Sequence, residues 1–168
     1  KHHEYNEIIE FVQKYSINTN HPLFLNQLFG NTDRLSILAE NLVTNMNTSM
    51  YTYEMSPVFT SMEYEITEQL RKMIGFNYCE SLFLPGGSMC NIIAINTARY
   101  YYYSYIKNEG MNSTLTVITS DQAHYSIDKG CMLLGIGLNN LIKIKTDDSG
   151  IILINELENK ILKLIKLK

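Results

Sequence analysis

Residues 82–91 constrain the fold more than any other stretch of this 168-residue chain. The apolar residues 82–84 predict a short buried strand, the pair Gly86–Gly87 predicts a tight turn, and the apolar residues 92–98 predict a helix. Adjacent glycines let backbone N–H groups converge, and the start of a helix leaves its first N–H groups unpaired. Such a turn can hold an anion, most often a phosphate. A β–α loop with a serine cap explains the same residues equally well.

Two β-prone runs, residues 115–119 and residues 141–144, predict further strands of a parallel sheet. A helix is predicted at residues 88–106, and its apolar start indicates burial between other elements. A second helix is predicted to follow residues 120–126 and to end at Leu134, and a third is predicted to begin after a cap at Asn155. Because strands alternate with helices, the sequence predicts an α/β fold with a parallel-type sheet, right-handed crossovers and helices on both faces.

For the first half of the chain, the sequence predicts helices and no strands. One helix ends near Asn18, a second begins after an N-cap at Asp33, and a third begins after Ser56 and ends at Gly75. Residues 47–54 are polar and aromatic without helical period, and they predict an extended loop.

The composition is that of a globular domain, with 45% hydrophobic and 18% charged residues and a net charge of −3. The 14 basic residues are scattered and outnumbered by 17 acids, so nucleic-acid binding has no support. Apolar runs are too short to cross a membrane. Three cysteines without metal-type spacing predict free thiols in a reducing compartment, hence a cytoplasmic protein without a metal site.

Ligands of open α/β sheets bind beyond the carboxyl ends of the strands. The loop at residues 86–88 and His124 both follow predicted strands, so they are expected at one rim. An anion pocket beside an imidazole suits a phosphorylated cofactor with an aromatic ring. Other chemistries lack support: the sequence has no P-loop, no complete G-x-G-x-x-G pattern, and no G-x-S-x-G around Ser88. Packing explains Cys90 better than a nucleophilic role does.

Two further features of the sequence, an amide pair and a tyrosine cluster, each have two possible interpretations. Asn26 and Gln27 lie among apolar neighbours, where buried amides either tie the backbone together or face a ligand. The tyrosines at 100–103 and 105 could stack on bases, although packing and interface burial explain them better.

Several stretches occur together in a recognisable order. They are residues 21–28 (HPLFLNQL), 53–59 (YEMSPVF), 85–88 (PGGS), Asn91, 98–100 (ARY), 119–120 (TS) and 124–126 (HYS). In these the chain resembles the pyridoxal-phosphate-dependent group II amino-acid decarboxylases, in the glutamate and cysteine-sulfinate branch. The resemblance runs from about Ile8 to the end of the chain, which therefore looks like an N-terminal portion of such an enzyme.

The resemblance implies a partial large domain of fold type I, the aspartate-aminotransferase-like fold, that binds pyridoxal 5'-phosphate. Residues 1–55 would form N-terminal helices and substrate-side loops, and residues 56–168 would begin the cofactor-binding domain. Gly86, Gly87 and Ser88 would hold the phosphate, and His124 would stack on the pyridine ring. The positions that would lie near the substrate are Gln27, Phe29, Ser49 and Tyr51.

The implied activity is decarboxylation of a small acidic amino acid (cysteine sulfinate, glutamate or aspartate) by an enzyme that is a homodimer in its complete form. The family's Asn-Pro-His-Lys segment, which carries the Schiff-base lysine, does not occur in this chain. We therefore expect a fragment that is inactive by itself. The alternative is a non-catalytic, truncated relative that acts as a binding or dimer-partner module.

Overall fold

A computed structural model describes residues 2–25, 30 and 32–166. The chain divides into two compact units, Lys1–Cys79 and Glu80–Lys168.

The regular structure described in the first unit is helical. Its helices are α1 (His2–Tyr15), α2 (Arg34–Met46) and α3 (Pro57–Ile74). The predicted cap at Asp33 is confirmed, because its Oδ2 accepts hydrogen bonds from the N–H groups of Leu35 (2.9 Å) and Ser36 (3.2 Å). Gly75 ends α3 in the left-handed conformation at φ +89°, as the sequence predicts.

Two details of the first unit differ from the sequence prediction. Residues 47–54 form successive turns rather than an extended loop. The Thr48 hydroxyl donates to the Met55 carbonyl at 2.9 Å, and the Ser56 N–H donates to the Thr52 carbonyl, so local hydrogen bonds close these turns. Ser56 does occupy the N-cap position of α3, but its buried hydroxyl makes no cap bond.

The second unit contains a parallel β–α–β arrangement. Its elements are α4 (Gly87–Tyr102), α5 (Ile106–Glu109), β1 (Val117–Ser120), α6 (Ser126–Leu133), a 3-10 turn (Leu138–Asn140), β2 (Leu141–Ile144) and α7 (Ile154–Lys166). The strands pair in parallel with Val117 opposite Leu141, which confirms both predicted strands and the α/β class. The fully buried side chains of Cys131 and Ile144 lie in its core.

Helices α4 and α6 pack side by side in the same direction. Three contacts join residues 35 positions apart: Asn91 with Ser126, Ile95 with Gly130, and Arg99 with Leu134. A constant offset along both helices means that their N-terminal ends lie together. This pairing decides where the polar groups at the two helix starts meet.

The predicted strand at residues 82–84 is wrong. The sheet described by the structure contains only β1 and β2, and Leu82 and Phe83 are 60% and 56% exposed. A strand needs a neighbouring strand with which to exchange hydrogen bonds, and this segment pairs with neither.

Helix α4 also differs from the prediction, since it ends at Tyr102 and none of its residues is fully buried. Asn155 is not a cap, because α7 already begins at Ile154. Among the helices that the structure describes, none is long and apolar enough to cross a membrane.

Candidate functional site

The start of α4 presents two unused hydrogen-bond donors. The N–H groups of Met89 and Cys90 both donate to the Gly86 carbonyl, which closes the first turn of the helix. The N–H groups of Gly87 and Ser88 have no acceptor among the described residues. We call these two N–H groups the amide cradle. Because the positive end of the helix dipole lies at the same place, the cradle favours an anion.

Glycine is needed at the entrance to the cradle. Gly86 has φ +88° and ψ 156°, a backbone region that is essentially restricted to glycine. A Cβ placed on Gly86 or Gly87 would meet no atom within 4 Å, so the space around this turn is open. The backbone can therefore approach a ligand closely here.

His124 lies just beyond the carboxyl end of β1, before the first turn of α6. Its Nδ1 accepts a hydrogen bond from the Ser126 N–H at 3.2 Å and lies 2.8 Å from the Ser126 Oγ. The fully buried Ser126 hydroxyl in turn accepts a hydrogen bond from the Asn91 side-chain amide at 2.8 Å. We call this arrangement the Asn91–Ser126–His124 chain.

The amide cradle and His124 belong to the same end of the second unit. Asn91 lies three residues after Ser88 in α4, so both residues lie on one face of that helix. The Asn91–Ser126–His124 chain therefore connects the helix that carries the cradle to the imidazole. The sequence predicts this proximity from a strand at residues 82–84, which the described sheet does not contain, and it does not predict the residues that connect the two features.

The ring of Tyr125 lies against His124, with the ring centroids 4.1 Å apart and the planes tilted by 36°. The ammonium group of Lys129 lies 4.5 Å from the centroid of the Tyr125 ring. His124 itself is exposed. Part of the imidazole surface therefore remains accessible beside the Tyr125 ring.

The predicted substrate positions are only partly described. Gln27 and Phe29 lie outside the described residues. Ser49 and Tyr51 belong to the first unit, where the Ser49 Oγ accepts a hydrogen bond from the Tyr51 N–H at 3.2 Å. Tyr51 is 90% exposed, so its ring is accessible.

An ion pair ties α6 to β2. The Lys143 Nζ lies 2.8 Å from the Asp128 Oδ1, and this hydrogen bond lowers the pKa of Asp128. Burial raises the pKa of the Cys131 thiol, which opposes a thiolate role for that residue. Cys90 and Cys131 carry free thiols, as the cysteine pattern predicts.

A parallel β–α–β unit with an amide cradle and an imidazole at the same end is consistent with a partial fold type I domain, the class of pyridoxal-phosphate-dependent proteins. Residues 4–167 match the family described as "Pyridoxal-dependent decarboxylase conserved domain", and the chain belongs to this family.

Relatives of this chain are decarboxylases of acidic amino acids. It is 41% identical over 162 residues to the acidic amino acid decarboxylase GADL1 of Xenopus tropicalis, a match that covers 95% of this chain and 32% of the relative. It is 40% identical over 152 residues to the cysteine sulfinic acid decarboxylase of Homo sapiens, covering 89% of this chain and 31% of the relative. The chain thus spans about a third of the length of the curated relatives it matches.

Solved structures of decarboxylases have a similar fold. The crystal structure of mouse CSAD matches with a TM-score of 0.87 and 38% identity, over 94% of this chain and 34% of that one. The glutamate decarboxylase domain of a Vibrio parahaemolyticus protein matches with a TM-score of 0.83 at 21% identity, which supports the fold alone.

Proposed function

We propose that this chain carries part of the cofactor site of an enzyme that decarboxylates a small acidic amino acid with pyridoxal 5'-phosphate. The observation that carries the proposal is the amide cradle, joined to His124 through the Asn91–Ser126–His124 chain. The relatives named above, which are acidic amino acid and cysteine sulfinic acid decarboxylases, support the substrate class.

The residues present fit this cofactor. A phosphate ester dianion requires several hydrogen-bond donors. The amide cradle and the Ser88 hydroxyl can supply them, and the helix dipole adds positive potential at the same place. The turn carries no side chain at Gly86 or Gly87 that would exclude the phosphate. The exposed imidazole of His124 matches the flat pyridine ring.

When bound, pyridoxal phosphate supplies an electron sink for the pair of electrons that carbon dioxide leaves behind. The chain's own residues bind and orient: Gly86, Gly87 and Ser88 fix the phosphate end, and His124 fixes the plane of the ring. The phosphate contacts would thus supply most of the binding energy of the cofactor, and His124 would orient the ring at which the reaction takes place.

The substrate side is proposed to come from residues 1–55, with residues 56–168 on the cofactor side. Within residues 1–55, the positions proposed to select the acidic side chain are Gln27, Phe29, Ser49 and Tyr51. Cysteine sulfinate, glutamate and aspartate are the candidate substrates. We further propose that the complete enzyme is a cytoplasmic homodimer. The 168 residues alone should release no carbon dioxide, because no lysine here lies in an Asn-Pro-His-Lys segment.

A second candidate is a non-catalytic module that binds a partner chain. The exposure of Tyr101 (82%) and Tyr102 (77%) at the end of α4 favours it, since paired aromatic side chains are common at interfaces. The two candidates differ in one measurement, which is release of carbon dioxide from labelled cysteine sulfinate, glutamate and aspartate by the full-length polypeptide that carries this chain. Release supports the enzyme, and its absence in a folded protein supports the module.

The phosphate assignment is tested by Ser88→Ala in that full-length polypeptide. Loss of a hydrogen bond to a charged group should weaken pyridoxal phosphate binding by about tenfold or more, measured by equilibrium dialysis. Ser104→Ala is the matched control, because this exposed serine lies beyond the other end of α4. Unchanged affinity in the Ser88 variant would contradict the assignment.

A further inference from the structure

The hydrogen bonds around Ser126 have a fixed direction. A side-chain NH2 group and a backbone N–H can only donate, so the Ser126 Oγ accepts from Asn91 and the His124 Nδ1 accepts from the Ser126 N–H. Since Nδ1 is an acceptor, the Ser126 hydroxyl must donate its own proton to it across 2.8 Å. The neutral imidazole therefore carries its proton on Nε2.

We propose that Asn91 and Ser126 are positioning residues that hold the His124 imidazole in the Nε2–H tautomer and in one orientation toward the cofactor. This inference rests on the proposed function and extends it to two residues that touch neither cofactor nor substrate in that scheme. Asn91 sets the direction of the hydroxyl, and Ser126 transmits that direction to the ring.

Burial makes this arrangement effective. Ser126 is fully buried and Asn91 is half-buried, so water does not replace either partner readily, whereas His124 is exposed. An exposed imidazole without such partners would rotate and exchange tautomers. Because Asn91 lies on the same face of α4 as Ser88, the chain also fixes the imidazole relative to the amide cradle.

Nuclear magnetic resonance of ¹⁵N-histidine in the cofactor-free full-length polypeptide measures the tautomer directly, with the His124 signals assigned from a His124→Gln variant. Native protein should show an unprotonated Nδ1 and a protonated Nε2. Asn91→Asp replaces a donor by an acceptor, so the Ser126 hydroxyl turns toward Asp and no longer donates to the imidazole. The fraction of His124 rings protonated at Nδ1 should rise by about fivefold or more, which is the effect of one lost hydrogen bond.

Asn96→Asp is the matched control, because Asn96 lies on the same helix but accepts a hydrogen bond from Arg99. It should leave the His124 spectrum unchanged. Ser126→Ala removes the hydroxyl without adding charge and should raise the same fraction, which keeps the test decisive where Asn91→Asp fails to fold. Native-like His124 spectra in a folded Asn91→Asp or Ser126→Ala variant would overturn the proposal.

Cofactor binding distinguishes this inference from the proposed function. Ser126→Ala should lower the affinity for pyridoxal phosphate by about fivefold, while the affinity for inorganic phosphate changes by less than about twofold, because the amide cradle is intact. An equal loss for both ligands would mean that Ser126 has only a structural role. If native protein binds no pyridoxal phosphate, the proposed function fails, and the ¹⁵N spectra still decide the tautomer.

Discussion

Gly130 of α6 lies so close to Ile95 of α4 that a Cβ on the glycine would be 3.1 Å from the Ile95 Cδ1. Polar contacts with the same 35-residue offset lie one turn to either side, at Asn91 and at Arg99. The close approach at Gly130 therefore sets the distance between α4 and α6. Helix α4 begins with the amide cradle, and α6 begins just after His124. A packing contact between α4 and α6 thus influences the geometry of the site.

Replacing Gly130 by leucine should lower the free energy of unfolding by about 1–3 kcal/mol, because the larger side chain forces α4 and α6 apart. Gly130→Ala is the graded control. Its methyl group requires a small movement of the flexible end of Ile95, and the gain in helix propensity of roughly 0.5–1 kcal/mol offsets that movement. Urea unfolding measures both variants. A leucine variant as stable as the native protein would show that the helices are not in tight contact.

Arg99→Met should destabilise the second unit by roughly 1–2 kcal/mol. The Arg99 Nη1 donates to the Leu134 carbonyl at 2.7 Å, just past the end of α6, where a cation also interacts favourably with the helix dipole. Thermal unfolding measures the loss. Arg34→Met, at the exposed start of α2, is the control and should have little effect. Equal losses in the two variants would contradict a specific role for Arg99.

The features that the sequence predicts correctly depend on local chemistry. Asp33 caps α2 because its carboxylate reaches N–H groups two and three residues away. Gly75 ends α3 because glycine adopts positive φ at no steric cost. The runs that become β1 and β2 are also identified from their own residues, since β-branched apolar side chains favour a buried parallel strand.

The features that the sequence does not predict depend on distant partners. Residues 82–84 have strand composition but pair with neither described strand. The hydrogen bond from Asn91 to Ser126 spans 35 residues, and its existence depends on how α4 packs on α6. One local signal was available: a serine two residues after His124 is well placed to bond the ring.

The ion pair between Asp128 and Lys143 should make stability depend on pH in acid. Its hydrogen bond lowers the pKa of Asp128 in the folded state below the ordinary value of an aspartate, which the unfolded chain retains. The ion pair therefore contributes fully to the free energy of unfolding above about pH 4, and this contribution is lost as the pH falls through the lowered folded-state pKa of Asp128. Asp128→Asn should lower the melting temperature at pH 6 and flatten its decline between pH 4 and pH 2.

Lys143→Met should reproduce this flattening, because it removes the other partner of the same ion pair. Asp148→Asn, in an exposed turn, is the control and should leave the acid dependence as it is in the native protein. Identical pH profiles for the native protein and the Asp128 variant would show that the ion pair contributes nothing to folding.

The entrance to the amide cradle should tolerate alanine at one glycine and not at its neighbour. Gly86 has φ +88° and ψ 156°, so Gly86→Ala introduces strain of about 1–3 kcal/mol and should lower the stability of the second unit accordingly. Gly87 has no positive φ and lies in open space, so Gly87→Ala should leave stability unchanged or slightly raise it. Urea unfolding of the two variants side by side gives the comparison. Equal stabilities would mean that the turn relaxes out of its glycine-only conformation, and the cradle would then owe its shape to the helix start alone.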